Sequence, residues 1–118
     1  MTGTSVNMIG NKSMGIDLVA DVIIQEMKKS TSCEIISDIR RESNGFKVYL
    51  LAFEKYYLRI GGMVSLITML TEDESSQSAD IIGTGGGSGL LNISYGANED
   101  FAGKAVNILK ECGFFFEE

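Results

Sequence analysis

Residues 33–72 read CEIISDIRRESNGFKVYLLAFEKYYLRIGGMVSLITMLTE, and this stretch decides the fold. Its period is two. Cys33, Ile35 and Ile39 fall on one side; Glu34, Asp38, Arg40 and Glu42 fall on the other, where Ile36 joins them. That alternation predicts a half-buried strand. Asn44-Gly45 follows, a type I′ hairpin signal, because both central residues of that turn need positive φ. The next strand is predicted from Phe46 to Ile60. Its even face carries Phe46, Val48, Leu50, Ala52, Tyr56, Leu58 and Ile60, interrupted by Glu54. Its odd face carries Lys47, Tyr49, Leu51, Phe53, Lys55, Tyr57 and Arg59. A strand of that length implies a bulge or bend. Gly61-Gly62 makes a second tight turn. Met63 to Glu72 is apolar on both faces, which predicts a central strand covered on both sides.

Upstream, the period is helical. Ile16, Val19, Ala20, Ile23, Ile24 and Met27 make one stripe, with Ser13 as the expected N-cap and Ser30, Thr31 and Ser32 as the stop. Residues 1–12 are polar and glycine-bearing and read as a flexible lead-in. Downstream, Glu72 to Gln77 is a polar loop and Ser78 to Gly83 a short strand. The run Gly83-Thr84-Gly85-Gly86-Gly87-Ser88-Gly89 comes next, and Leu90 to Tyr95 is a fifth strand. Asn98 caps a second helix whose stripe is Phe101, Ala105, Ile108, Leu109 and Cys112; Gly113 ends it at the C′ position. Phe114, Phe115 and Phe116 are too apolar to stay in water and should dock on the sheet or on a partner. The expected fold is α+β: a two-layer sandwich in the order α-β5-α. Its five-stranded, mainly antiparallel sheet carries both helices on one face, in a single domain over residues 1–118.

Composition narrows the functions. The 118 residues carry ten Lys and Arg against sixteen Asp and Glu, a net charge of -6, with no His, Pro or Trp. Without His there is no Ser-His-Asp or Cys-His catalysis and no His-ligated zinc or haem. An acidic chain without a basic run argues against nucleic acid as a partner. Cys33 and Cys112 form no CxxC pair and read as small buried hydrophobes; no metal or cofactor is expected. No run approaches a membrane span, and residues 1–12 lack the charged and apolar regions of a signal peptide, so a cytoplasmic location is expected.

Three segments offer chemistry. The glycine run lets backbone N–H groups approach an anion, with Gly85, Gly86, Gly87 and Ser88 as candidate ligands. It lacks the Gly-Lys-Ser/Thr of a Walker loop and the third glycine of a dinucleotide fingerprint, and it lies between two predicted strands. A flexible hairpin loop, or a bulged strand segment whose backbone packs tightly against something large, is the plainer reading. In the second segment, Lys55, Tyr57 and Arg59 share a face and could hold an anionic ligand, while Glu54 points the other way among apolar neighbours. Burial there would tune Glu54 as a general acid or base; a solvated or salt-bridged Glu54 is the plainer reading. The third segment, Gly96 to Asp100, pairs carboxylates but is fully explained as a helix cap.

Phe53-Glu54-Lys55-Tyr56-Tyr57-x-Arg59, Val64-Ser65-Leu66, the glycine run and Tyr95-Gly96-Ala97-x-Glu99-Asp100-Phe101 together resemble a family of small uncharacterised proteins of low-GC Gram-positive bacteria, known only as a domain of unknown function. The family often carries Trp where this chain has Tyr95. The resemblance implies one domain spanning the chain and brings no activity, cofactor or catalytic residue. The expectation is therefore a non-enzymatic binding or interaction domain, homodimeric through an apolar open sheet face. The alternative is a small-molecule enzyme or anion binder using Glu54 with Lys55, Tyr57, Arg59 and the Gly83–Gly89 loop.

Overall fold

In a computed structural model, which describes residues 3–57, 62–85 and 101–117, eight elements follow one another. They are β1 (Gly3–Gly10), α1 (Ile16–Met27), β2 (Cys33–Ser43), β3 (Phe46–Tyr57), β4 (Gly62–Glu72), β5 (Gln77–Gly85), α2 (Phe101–Glu111) and β6 (Phe114–Phe116). The strands form one six-stranded sheet in the order β2-β3-β4-β5-β1-β6, with every neighbouring pair antiparallel. The α+β class and the meander of β2, β3 and β4 agree with expectation. Asn44 and Gly45 both have positive φ, at 52° and 81°, as the hairpin demands. Gly113, at φ 94°, ends α2.

The strand count and several boundaries differ. Residues 1–12, expected as a flexible lead-in, supply β1, an interior strand between β5 and β6. Its signal is thin: Val6 and Met8 turn inward while Ser5 and Asn7 remain exposed, and pairing on both sides supplies what composition does not. The expected fifth strand, Leu90–Tyr95, lies outside the described residues. Phe114–Phe116 docks on the sheet, as β6 beside β1. In β2, the register slips between Ile35 and Ser37, so Ile36 is a bulge and the faces exchange beyond it. Ile39 consequently shares the face of Leu50, whereas Asp38 and Arg40 lie level with Leu51 and Tyr49.

Both helices cover one face. There, Tyr49, Leu51 and Phe53 of β3, Val64, Leu66 and Leu70 of β4, Ala79 and Ile81 of β5, and Val6 and Met8 of β1 meet the apolar stripes of α1 and α2 in one core. At about 25 cal/mol per Å2 of apolar surface, burying each large aliphatic side chain is worth roughly 2 kcal/mol, which sets the helix-facing parity of every strand. Polar ties fix α1 in place. Lys47 Nζ donates to Asp17 at 2.8 Å, Tyr49 donates its hydroxyl to the same carboxylate, and Arg40 bridges Asp21 and Asp38. The Lys47 and Tyr49 hydrogen bonds hold the Asp17 carboxyl below its ordinary range.

The start of α1 corrects a second expectation. Its N-cap is Gly15, with no side-chain cap, rather than Ser13. The Ile16 N–H donates instead to Glu72 Oε1 at 3.1 Å, from the end of β4. Gln77, only 1% exposed, holds that carboxylate. Its Nε2 donates to Glu72 Oε1 at 2.7 Å and to the Met14 carbonyl at 2.8 Å, and its Oε1 accepts from the Lys12 N–H at 3.2 Å. The strand before this loop approaches so closely that a side chain at Gly10 would occupy the Gln77 carboxamide. By contrast, Thr68, wholly buried on β4, has a hydroxyl with no partner among the described residues. Two substitutions should therefore move stability in opposite directions in urea titrations. Gln77→Leu is expected to cost about 2–3 kcal/mol by stranding buried polar groups, and Thr68→Val to be neutral or stabilising by about 1 kcal/mol. A Gln77→Leu chain as stable as the parent would show that the loop finds other partners.

Candidate functional site

The sheet separates the residues the sequence singles out. Glu54 lies on the face without helices, half-buried, directly opposite Glu34 across the β2–β3 ladder and Ser65 across the β3–β4 ladder. Lys55 lies on the helix side, opposite Cys33 and Val64. Glu54 and Lys55 thus project from opposite faces of the sheet. Gly85 pairs with Val64, so the last described residue of β5 shares Lys55's row. Gly83, Thr84 and Gly85 belong to β5 in unbroken register with β4, so the strand runs past Gly83, where the sequence ends it, into the start of the glycine run. Tyr57 ends β3. Its side chain lies outside the described residues, as do Arg59, Gly86, Gly87, Ser88 and the Gly96–Asp100 segment.

Around Lys55 the structure assembles a corner that the sequence does not announce. Ser30, just beyond α1, accepts a hydrogen bond from Lys55 Nζ at 2.9 Å and one from Lys104 Nζ at 3.4 Å. Lys104 comes from the first turns of α2, and Cys33 lies in the same corner. The three polar residues are far apart in sequence, so no spacing motif could have found them. Only Lys55's place in an alternating strand hinted at the site. Burial pushes the Cys33 thiol above its ordinary range and outweighs the opposing pull of Lys55 and Lys104. That direction is opposite to the lowering that activates a thiol. Cys112 is likewise raised by burial.

The uncovered face has a different character. Ile36, Ile39, Phe46, Tyr56, Met63, Ile67, Ile82 and Phe115 are all exposed there, Ile36 by 53% and Ile82 by 44%. β4, expected to be covered on both sides, is covered on one: Val64, Leu66 and Leu70 are buried, while Met63 and Ile67 remain exposed. Among the described residues, no group of three or more His, Cys, Asp or Glu is placed to hold a metal ion. No described helix is long and apolar enough to cross a membrane.

The sequence model of a family of unknown function, DUF6054, matches residues 1–113, and the chain belongs to that family. No curated protein and no solved structure matches the chain. The thiol assignment is directly measurable. Peptide-resolved alkylation of Cys33 across a pH series should reach half-maximal rate at a higher pH in the folded chain than in the same chain in denaturant. A lower midpoint in the folded chain would mark Cys33 as activated.

Proposed function

We propose that this member of a family of unknown function is a non-enzymatic interaction domain that pairs with a second copy of itself through the uncovered sheet face. The observation that carries the reading is the block formed by Ile36, Ile39, Leu50, Ala52, Ile67, Met69 and Ile82. It runs across four neighbouring strands, with its large side chains partly or largely exposed. Monomers rarely expose contiguous apolar patches beyond a few hundred Å2. With strands about 4.8 Å apart and about 3.3 Å of rise per residue, the six-stranded face has the extent that a standard interface of roughly 800 Å2 per partner requires.

Charge placement favours a second copy as the occupant. At one end of the β2–β3 ribbon the open face carries Glu34 beside Glu54; at the other it carries Arg41, level with Val48. Like charges directly opposite one another cost stability within a single sheet. Among the described residues, no ion pair engages Glu34, Glu54 or Arg41, and the Arg41 guanidinium donates only to the Arg40 carbonyl. A two-fold axis lying in the interface, across the strands and level with Leu50 and Ala52, reverses strand direction between the copies. It sets the apolar rows against themselves and brings Arg41 of each copy over the Glu34–Glu54 pair of the other. Such an interface is isologous and fits the aligned packing of two twisted sheets.

Cytoplasmic residence, an origin in low-GC Gram-positive bacteria and a single domain over residues 1–118 belong to the same reading. An enzyme built on Glu54 with Lys55 is disfavoured, because the two project from opposite faces.

Sedimentation velocity tests the proposal. The chain is expected to be dimeric at roughly tens of micromolar. Ile67→Glu should yield a folded monomer. Arg41→Glu should weaken the dimer, and adding Glu34→Lys with Glu54→Lys should restore it. A monomeric parent chain at about 100 µM, or a dimer indifferent to Ile67→Glu, would overturn it.

A further inference from the structure

We propose that Met63 and Met69 make the uncovered sheet face a peroxide-sensitive modification site, where conversion of their thioethers to sulfoxides separates the paired copies. The proposal rests on pairing through that face and names what regulates it. The sheet divides the described methionines between its two sides. Met8 and Met27 lie in the core under the helices, 1% and 0% exposed, and the half-buried Met14 packs against the same core. Met63 and Met69 project the other way, from β4. Met63 is 46% exposed and stands opposite Tyr56. Met69 is half-buried near the middle of the sheet. It lies opposite Leu50 on one side and Asp80 on the other, with Ile67 two residues away on the same strand. The two-fold axis level with Leu50 and Ala52 sets Met69 of each copy over Ile67 of the other.

A thioether needs no activating neighbour to be oxidised. Its sulfur attacks one oxygen of hydrogen peroxide, the O–O bond breaks and a sulfur–oxygen bond forms. The sulfur gives up two electrons, and the departing oxygen takes the proton of the transferred one and leaves as water. The product is a polar, chiral side chain at a place that pairing must dry. The polar neighbours of Met69 are already engaged. Asp80 accepts from Asn7 Nδ2 at 2.6 Å, and the Thr71 and Ser78 hydroxyls bond each other. In the pair, a sulfoxide oxygen on Met69 meets Ile67 of the second copy and the Asp80 carboxylate beside it, and neither donates a hydrogen bond. In the free monomer the same oxygen is hydrated. An isologous interface holds each methionine twice, so every modification counts double. Burial holds both the Cys33 and Cys112 thiols above their ordinary range, which leaves little thiolate to compete for peroxide.

Hydrogen peroxide treatment of the full chain, read by sedimentation velocity and peptide-resolved mass spectrometry, tests this. Met63 and Met69 are expected to gain one oxygen each while Met8 and Met27 stay unmodified, with the dimer weakened about a hundredfold. Oxidation of Met69 should slow as the protein concentration is raised through the dimerisation range, whereas Met14, on the other side of the sheet, keeps one rate. Met69→Gln, which sets an amide where the sulfoxide would be, should weaken the untreated dimer about tenfold. A chain carrying Met63→Leu and Met69→Leu should pair, and should stay paired under peroxide. Methionine sulfoxide reductases should restore the treated parent dimer. A parent dimer unmoved by oxidation of Met69, or a doubly substituted dimer that separates as readily as the parent, would overturn the switch and leave pairing intact. A parent chain monomeric before treatment would overturn pairing and the switch with it. The concentration dependence is read on the parent chain and stands whether or not a variant folds.

Discussion

One buried carboxamide ties the two halves of this fold together. Gln77 begins β5, yet its partners are the Lys12 N–H, the Met14 carbonyl and the Glu72 carboxylate, which in turn receives the first free N–H of α1. The loop leaving β1, the start of α1 and the β4–β5 hairpin are therefore positioned by a single side chain. Buried polar groups are tolerated only when satisfied, and here both amide protons and the amide oxygen are used. Asp73 reinforces the hairpin by accepting from the Ser75 and Ser76 backbone N–H groups, which hold its carboxyl below the ordinary range. With α1 anchored at this end, its apolar stripe is committed to the face carrying Tyr49, Leu51 and Phe53, and the other sheet face is left without a helix.

How much of this was legible in the sequence depends on the range of the interaction concerned. Asn44-Gly45, Gly113 and the stripes of both helices act within a few residues, and each is where local pattern places it. β1 escapes local pattern because its pairing partners supply most of its case: Val6 and Met8 are too few to outweigh the polar neighbours that a strand needs on its other side. The bulge at Ile36 has no signature in alternation, although it decides that Ile39 faces outward. Local caps are the rule and point to Ser13 for α1, but Glu72 reaches the first N–H of the helix through the tertiary fold.

The same distinction governs the candidate sites. Lys55 could be found because strand parity separates it from Glu54. Ser30 and Lys104 could not, since nothing local relates the end of one helix to the first turns of another. The sheet thus carries two kinds of chemistry on its two faces. The uncovered side is apolar, with charge only at its ends. The covered side is a dry core with a cationic corner at its margin, where the two helices and β3 meet. A residue's parity along its strand decides which of the two it serves.

The place of β1 also bears on how the chain reaches this structure. The first strand in sequence is not at an edge: Met8 pairs with Ala79 on one side and with Phe116 on the other. β2, β3 and β4 can zip together through short turns as soon as they exist, because their loop closures are small. β1 must wait until β5 has been made, and β6 cannot join until β1 is in place. Long-range closures of this kind dominate the entropy of the folding barrier. The order of assembly is therefore nearly the reverse of the order of synthesis for β1, and a growing chain exposes Val6 and Met8 until the second half of the molecule arrives.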